Sequence, residues 1–247
     1  MITAKADVAE LGAILGVWAH PDDEAYLSGG LMAVARDAGA RVVCVTATRG
    51  ERGTTDPVEW PPERLARART DELACCLDIL GVEEHHWLGY EDGGCAEVPE
   101  PEAVARLSAV IDAVRPDTVL TFGPDGITGH RDHQTVSAWA TTAFERAAPS
   151  RARLMYAAVA ERHAARWSAL DERLEVYLPG YPVTTPDDGL AIDLVLDPET
   201  AARKVRALAA QQSQTRGLIE ALGLECYTEW VAAEHFAEKH GSRPARA

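Results

Sequence analysis

No stretch of about 20 consecutive apolar residues occurs in the 247-residue chain, so no segment reads as a membrane-spanning helix. The C-x-x-C pairs of zinc ribbons and redox sites are missing as well. Five cysteines (Cys44, Cys75, Cys76, Cys95 and Cys226) form an odd set with two adjacent members, which speaks against a disulfide framework and for a reducing compartment. Also absent are G-x-S-x-G, the P-loop, G-x-G-x-x-G and H-E-x-x-H. With them go the serine hydrolase, P-loop NTPase, dinucleotide-binding and zincin templates. Basic residues are scarce: 24 Lys and Arg against 39 Asp and Glu leave a formal charge of −15. Such a chain repels phosphate backbones, so neither nucleic acid nor an anionic membrane is an expected partner. Arg64, Arg67 and Arg69 do not form a basic patch, because Glu63, Asp71 and Glu72 interleave with them as on a solvated helix face. The opening residues lack the apolar stretch of a signal peptide, and a cytoplasmic location is expected.

What is present is a globular composition, 47% hydrophobic and 26% charged. Short apolar runs alternate with helical patterns. Residues 13–19, 41–48, 86–90, 118–122, 154–159 and 191–196 read as strands. Residues 28–38, 62–80, 101–114, 132–147 and 198–214 read as helices, with Pro62 opening one and Gly81 closing it. The strands are apolar throughout rather than alternating, as in a sheet covered on both faces. The expected fold is therefore α/β: a Rossmann-like three-layer α/β/α arrangement with a mostly parallel sheet. The chain reads as a single domain over 1–247, with a core at about 10–160 and a C-terminal extension at 161–247.

Two clusters carry chemistry. His20-Pro21-Asp22-Asp23-Glu24 follows the first strand, and Gly129-His130-Arg131-Asp132-His133 follows the fourth. In an open parallel sheet both would leave at the carboxyl ends, where ligands bind. His20, Asp23 and His133 offer two imidazoles and a carboxylate, a donor set for zinc and for several other divalent ions, with one position left for water. Asp22, adjacent to Asp23, is a candidate general base beside that water. His130, when protonated, could donate to a developing oxyanion or leaving group, with Asp132 fixing its tautomer. His85, His86, His163, His235 and His240 lack comparable neighbours; the last three fall in helical, charged surroundings and are expected to be structural.

The two motifs, A-H-P-D-D-E and G-H-x-D-H after T-F-G-P-D-G, resemble those of the PIG-L/LmbE-like family of zinc-dependent N-acetylglucosaminyl deacetylases. The likeness extends over most of the first 145 residues, through Thr48-Arg49-Gly50-Glu51, the R-x-x-E-L of Arg69 to Leu73, and Leu88 to Gly93. A K…SQ stretch from Lys204 to Gln214 also looks like the family's. The resemblance implies zinc on His20, Asp23 and His133; by donor type Fe²⁺ fits the same ligands. It implies Asp22 as base, and His130 with Asp132 at the tetrahedral intermediate. It also implies Arg69 and Asp92 as contacts to the sugar or an attached group. Arg131 stands where many members have proline, and Thr128 where mycothiol-type members have tyrosine, which weakens that substrate assignment.

The expected activity is hydrolysis of a linear amide C–N bond, removing the N-acetyl group of an N-acetylglucosamine derivative, with a small amino sugar as partner. Alternatives are an amidase of a related thiol-sugar conjugate, a non-haem iron oxygenase using the same donors, and a non-catalytic sugar-binding protein. Self-association into a homo-oligomer is compatible with the sequence.

Overall fold

β-branched apolar runs become parallel strands wherever helices cover both sheet faces, and five such strands form most of the sheet in the computed structural model, which describes residues 1–239. In chain order the first part runs β1 (Ile14–Trp18), α1 (Asp23–Asp37), β2 (Val42–Thr48), α2 (Pro62–Leu80), β3 (Glu84–Tyr90), α3 (Glu100–Val114), β4 (Thr118–Phe122), α4 (Arg131–Ala147) and β5 (Arg153–Ala157). The second part runs β6 (Val159–Ala160), α5 (Glu161–Leu174), β7 (Thr184–Thr185), β8 (Ile192–Val195), α6 (Pro198–Ala210), α7 (Gln212–Leu222), α8 (Leu224–Val231) and β9 (Ala233–Glu238).

The main sheet has the order β3-β2-β1-β4-β5-β9-β8, parallel through β5 and antiparallel at β9 and β8; β6 and β7 form a separate two-stranded pair. Every residue of β1, β2 and β4 is buried, whereas edge strand β3 is only partly so. Helices α1, α2 and α6 pack together, and α3 packs on α4, which makes the expected three-layer α/β/α architecture with a mostly parallel sheet. Between β1 and β4 the strand order reverses: β2 and β3 extend one way, β4 and β5 the other. At such a switch point adjacent loops diverge and leave a crevice at the strands' carboxyl ends. Among the described residues no helix is long and apolar enough to cross a membrane.

Several boundaries differ from expectation for local reasons. Helix α1 begins at Asp23, not Ser28, because Asp22 turns at φ 107° and its carbonyl accepts the N–H groups of Ala25 and Tyr26. Asp23 and Glu24 thereby occupy the positive end of the helix dipole. The helix expected over 198–214 breaks at Gln211, whose side chain is buried and donates to Glu24 Oε1 at 2.7 Å. The run expected as one strand over 154–159 is split: β5 ends at Ala157 and Val159 enters β6. His235 is not helical; it lies buried in β9, while His163 is in α5 and His240 falls outside the described residues.

Candidate metal centre and its cleft

His20 lies two residues beyond β1, and His130 and His133 flank the start of α4, so both motifs open onto the switch-point crevice. They share a cavity of about 580 Å³ with Asp22, Asp23 and Asp92. His20 Nδ1 lies 3.2 Å from His133 Nε2, His133 Nε2 lies 3.4 Å from Asp23 Oδ1, and His20 Nδ1 lies 3.7 Å from Asp23 Oδ2. Donors about 2.0–2.1 Å from a tetrahedral zinc ion are about 3.3–3.4 Å apart, so these three can share one ion.

The ring nitrogens facing away support the same reading. His133 Nδ1 donates to the Gly126 carbonyl at 3.0 Å, leaving the Nε2 lone pair free. Its ring stacks on Phe122 at 4.2 Å. His20 Nε2 meets Asp92 Oδ1 at 3.1 Å and Asp132 Oδ2 at 3.3 Å, which directs the Nδ1 lone pair inward. A carboxylate on the far nitrogen of an imidazole ligand sets its tautomer and raises its basicity. Without a cation, burial disfavours charge on His20, but Asp132, Asp92 and Asp23 prevail and raise its pKa to about 10. A proton then occupies ground that a divalent ion can take.

Two other groupings converge on His20. His130 can replace Asp23 in a three-histidine set, and Asp92 and Asp132 can join His20 on its opposite edge. In the first, His130 Nδ1 is already engaged by the Asp132 backbone N–H at 3.2 Å. In the second, the carboxylates are held by the N–H groups of Gly93, Cys95 and Arg52. The set with Asp23 leaves its inward atoms unclaimed on both rings and is the better ion site.

Asp22 points its carboxylate at Arg69, Oδ2 to Nη2 at 3.1 Å. Burial pushes its pKa up to about 6, with the Arg69 guanidinium opposing the rise. Arg69 is buried and does not pair with Glu72 on the helix surface; Glu72 accepts from Ser213 instead. The guanidinium donates to the carbonyls of Gly50 and Pro21, while Nε has no partner among the described residues. Gly50 sits at φ 62°, and a Cβ there would collide with this guanidinium, so the close approach requires glycine.

His130 caps α4, accepting the Asp132 N–H at Nδ1, which places the proton of the neutral ring on Nε2. Burial lowers its pKa, with nearby His20 acting in the same direction. In that tautomer the ring offers its Nε2–H as a donor. Asp132 meets His130 through its backbone; its carboxylate serves His20, Gly93 and Cys95. Asp92, expected to face the sugar, spends one oxygen on His20 and the other on the Arg52 N–H.

Sequence reasoning passed over Glu24 and Gln211. Glu24 is buried, its Oε2 accepts the Asp22 N–H at 3.0 Å, and burial pushes its pKa up to about 8. The signal available was an acidic residue closing the H-P-D-D-E motif. For Gln211 the one pointer was the K…SQ stretch that contains it, and its contact with Glu24 spans 187 residues.

Comparisons with known proteins bear on the family and the fold. Residues 15–144 match the family model of GlcNAc-PI de-N-acetylase, PIG-L. A 1D-myo-inositol 2-acetamido-2-deoxy-alpha-D-glucopyranoside deacetylase of Saccharomonospora viridis is 34% identical over 87% of this chain and 87% of its own length. One of the same description from Kineococcus radiotolerans is 38% identical over 55% of this chain, a match spanning 48%, about half, of that relative's length. N,N'-diacetylchitobiose deacetylase from Pyrococcus horikoshii superposes with a TM-score of 0.63 at 21% identity, over 96% of this chain and 87% of that one.

Proposed function

The chain belongs to the PIG-L family of N-acetylglucosaminyl de-N-acetylases, and from that premise we propose that it is a deacetylase cleaving the acetamide of an N-acetylglucosamine derivative. The observation that carries the reading is the meeting of His20 Nδ1, His133 Nε2 and the Asp23 carboxylate, with the far nitrogen of each ring held, by Asp92 and Asp132 on His20 and by the Gly126 carbonyl on His133. We read the described residues, 1–239, as one domain built around this centre.

His20, Asp23 and His133 would hold a divalent ion, zinc by donor type with Fe²⁺ fitting the same set, which when bound would supply Lewis acidity toward the amide and the attacking water. The remaining work belongs to side chains. Asp22, steadied by Arg69, takes a proton from the attacking water. Neutral His130 donates Nε2–H to the amide oxygen as negative charge grows there. The C–N bond breaks, the proton held by Asp22 passes to the departing nitrogen, and acetate and a free amine result. Arg69 and Asp92 act through Asp22 and His20, and line the cleft beside the sugar.

The test is acetate release from simple N-acetylglucosaminides by chelated protein and by the same protein after addition of zinc or Fe²⁺. Release that depends on added metal is expected. Release unaffected by chelation would overturn the metal-dependent reading, and none under any condition would overturn the deacetylase reading.

A further inference from the structure

Beyond the metal centre the cleft changes character. One wall of its lining is formed by Tyr26 on α1, Leu174 at the end of α5, Val176 and Tyr177 just after it, Leu218 on α7 and Trp230 on α8. These side chains are half-buried, so each leaves apolar surface facing the cavity. The polar ends of the two best placed aromatics are turned elsewhere. Trp230 Nε1 donates to Asp171 Oδ1 at 3.0 Å, and the Tyr26 hydroxyl pairs with that of Tyr227 at 2.9 Å. Tyr26 and Trp230 meet edge to face at 6.1 Å, and Tyr227 packs on Trp230 at 5.9 Å, so the wall is braced in this shape.

A hydroxyl-rich group placed against these six side chains would lose its water and find partners only at the polar part of the lining, His163 and His235 among it, a net penalty for each hydroxyl left unpaired. Gln214, which also lines the cleft, already donates to the Gly53 carbonyl. An apolar group gains instead, because it covers carbon surface on both sides. The cavity of about 580 Å³ is of the size that takes a drug-sized ligand, larger than one monosaccharide needs. Acetyl ends one carbon past its carbonyl, so the acyl side of the substrate does not need this space.

We propose that this wall is a specificity subsite for an alkyl or aryl group attached to the amino sugar away from its acetamide, an inference that rests on the deacetylase reading above. The substrate class is then an N-acetylglucosaminide with an apolar aglycone rather than a polyol one.

The experiment compares octyl, methyl and myo-inositol glycosides of N-acetylglucosamine with metal-loaded enzyme. In parallel, binding of the corresponding octyl and methyl glucosaminides to metal-free protein is followed by calorimetry. We expect kcat/KM and affinity for the octyl compound to exceed those for the methyl compound by at least about tenfold, the yield of burying a few methylenes. Trp230→Ala and, separately, Leu218→Asp should shrink that ratio toward one, chiefly through KM. Equal handling of the glycosides, a preference for the inositol compound, or a ratio untouched in both variants would overturn the subsite. So would faster cleavage of a methyl glycoside bearing N-hexanoyl, which would assign the wall to the acyl chain. Octyl preference in binding without acetate release would keep the subsite and sink the deacetylase reading; acetate release without preference would do the reverse.

Discussion

His20 Nδ1 and His133 Nε2 lie 3.2 Å apart although 113 residues separate them in the chain. Each ring has its other nitrogen committed, to Asp92 and Asp132 in one case and to the Gly126 carbonyl in the other. Two lone pairs at this distance repel unless a proton or a cation lies between them. Metal content is therefore the first expectation: purified protein should hold about one divalent ion per chain. Elemental analysis should find His20→Ala and His133→Ala well below that, and adding zinc to chelated wild type should raise its Tm, as for any ligand bound only by the native state.

Asp22→Asn keeps the size of the side chain and removes its basicity. Since Asp22 is outside the proposed ligand set, metal content should stay at the wild-type level while kcat falls by about 10²–10⁴. Steady-state kinetics with elemental analysis on one preparation checks both, and a variant with normal kcat would remove Asp22 from the proton path.

Asp132 touches the centre through His20. Asp132→Ala should weaken metal affinity by about 10–100-fold, measured by competition with a chromogenic chelator. Unchanged affinity would mean that Asp92 alone suffices to hold the ring.

Arg69 bridges the Gly50 and Pro21 carbonyls and Asp22, a three-way span that a lysine ammonium cannot reproduce. Arg69→Lys should lower kcat by about 10²-fold, the scale of a small misplacement at a reacting group, with a smaller change in KM. Gly50→Ala, which forces the guanidinium aside, should follow the same pattern.

Lys204 and Glu234 form an ion pair with no solvent exposure, 2.7 Å long, and Glu234 also accepts the N–H groups of Gly30 and Leu31 in α1. Lys204→Met strands the carboxylate and should lower unfolding stability by about 3–5 kcal/mol in urea titrations. Adding Glu234→Gln should recover part of the loss, because the stranded charge is then gone.

Much of the scaffold was legible from local signals. α2 runs from Pro62 to Leu80 and β4 from Thr118 to Phe122, matching the sequence expectation, because proline, glycine and uninterrupted apolar runs act within a few residues. The start of α1 was misjudged because Asp22 adopts a positive φ that a non-glycine residue rarely takes, and only its packing against Arg69 and Glu24 accounts for that conformation. His235 was misread for a related reason: charged neighbours hid a strand that exists by pairing with β5 and β8.

The order of apolar runs determined a parallel sheet with its two histidine–aspartate motifs at the carboxyl ends, since strand direction and loop position follow from local pattern. The sequence alone could therefore nominate His20, Asp22, Asp23, His130 and His133. Which nitrogen of each ring faces inward, that the Asp132 carboxylate serves His20 while only its backbone N–H meets His130, and that Tyr26, Leu218 and Trp230 close one wall were decided by tertiary structure. Each depends on a partner tens to hundreds of residues away, and a hydrogen bond or a packed ring acts over a few ångströms of space whatever the separation along the chain.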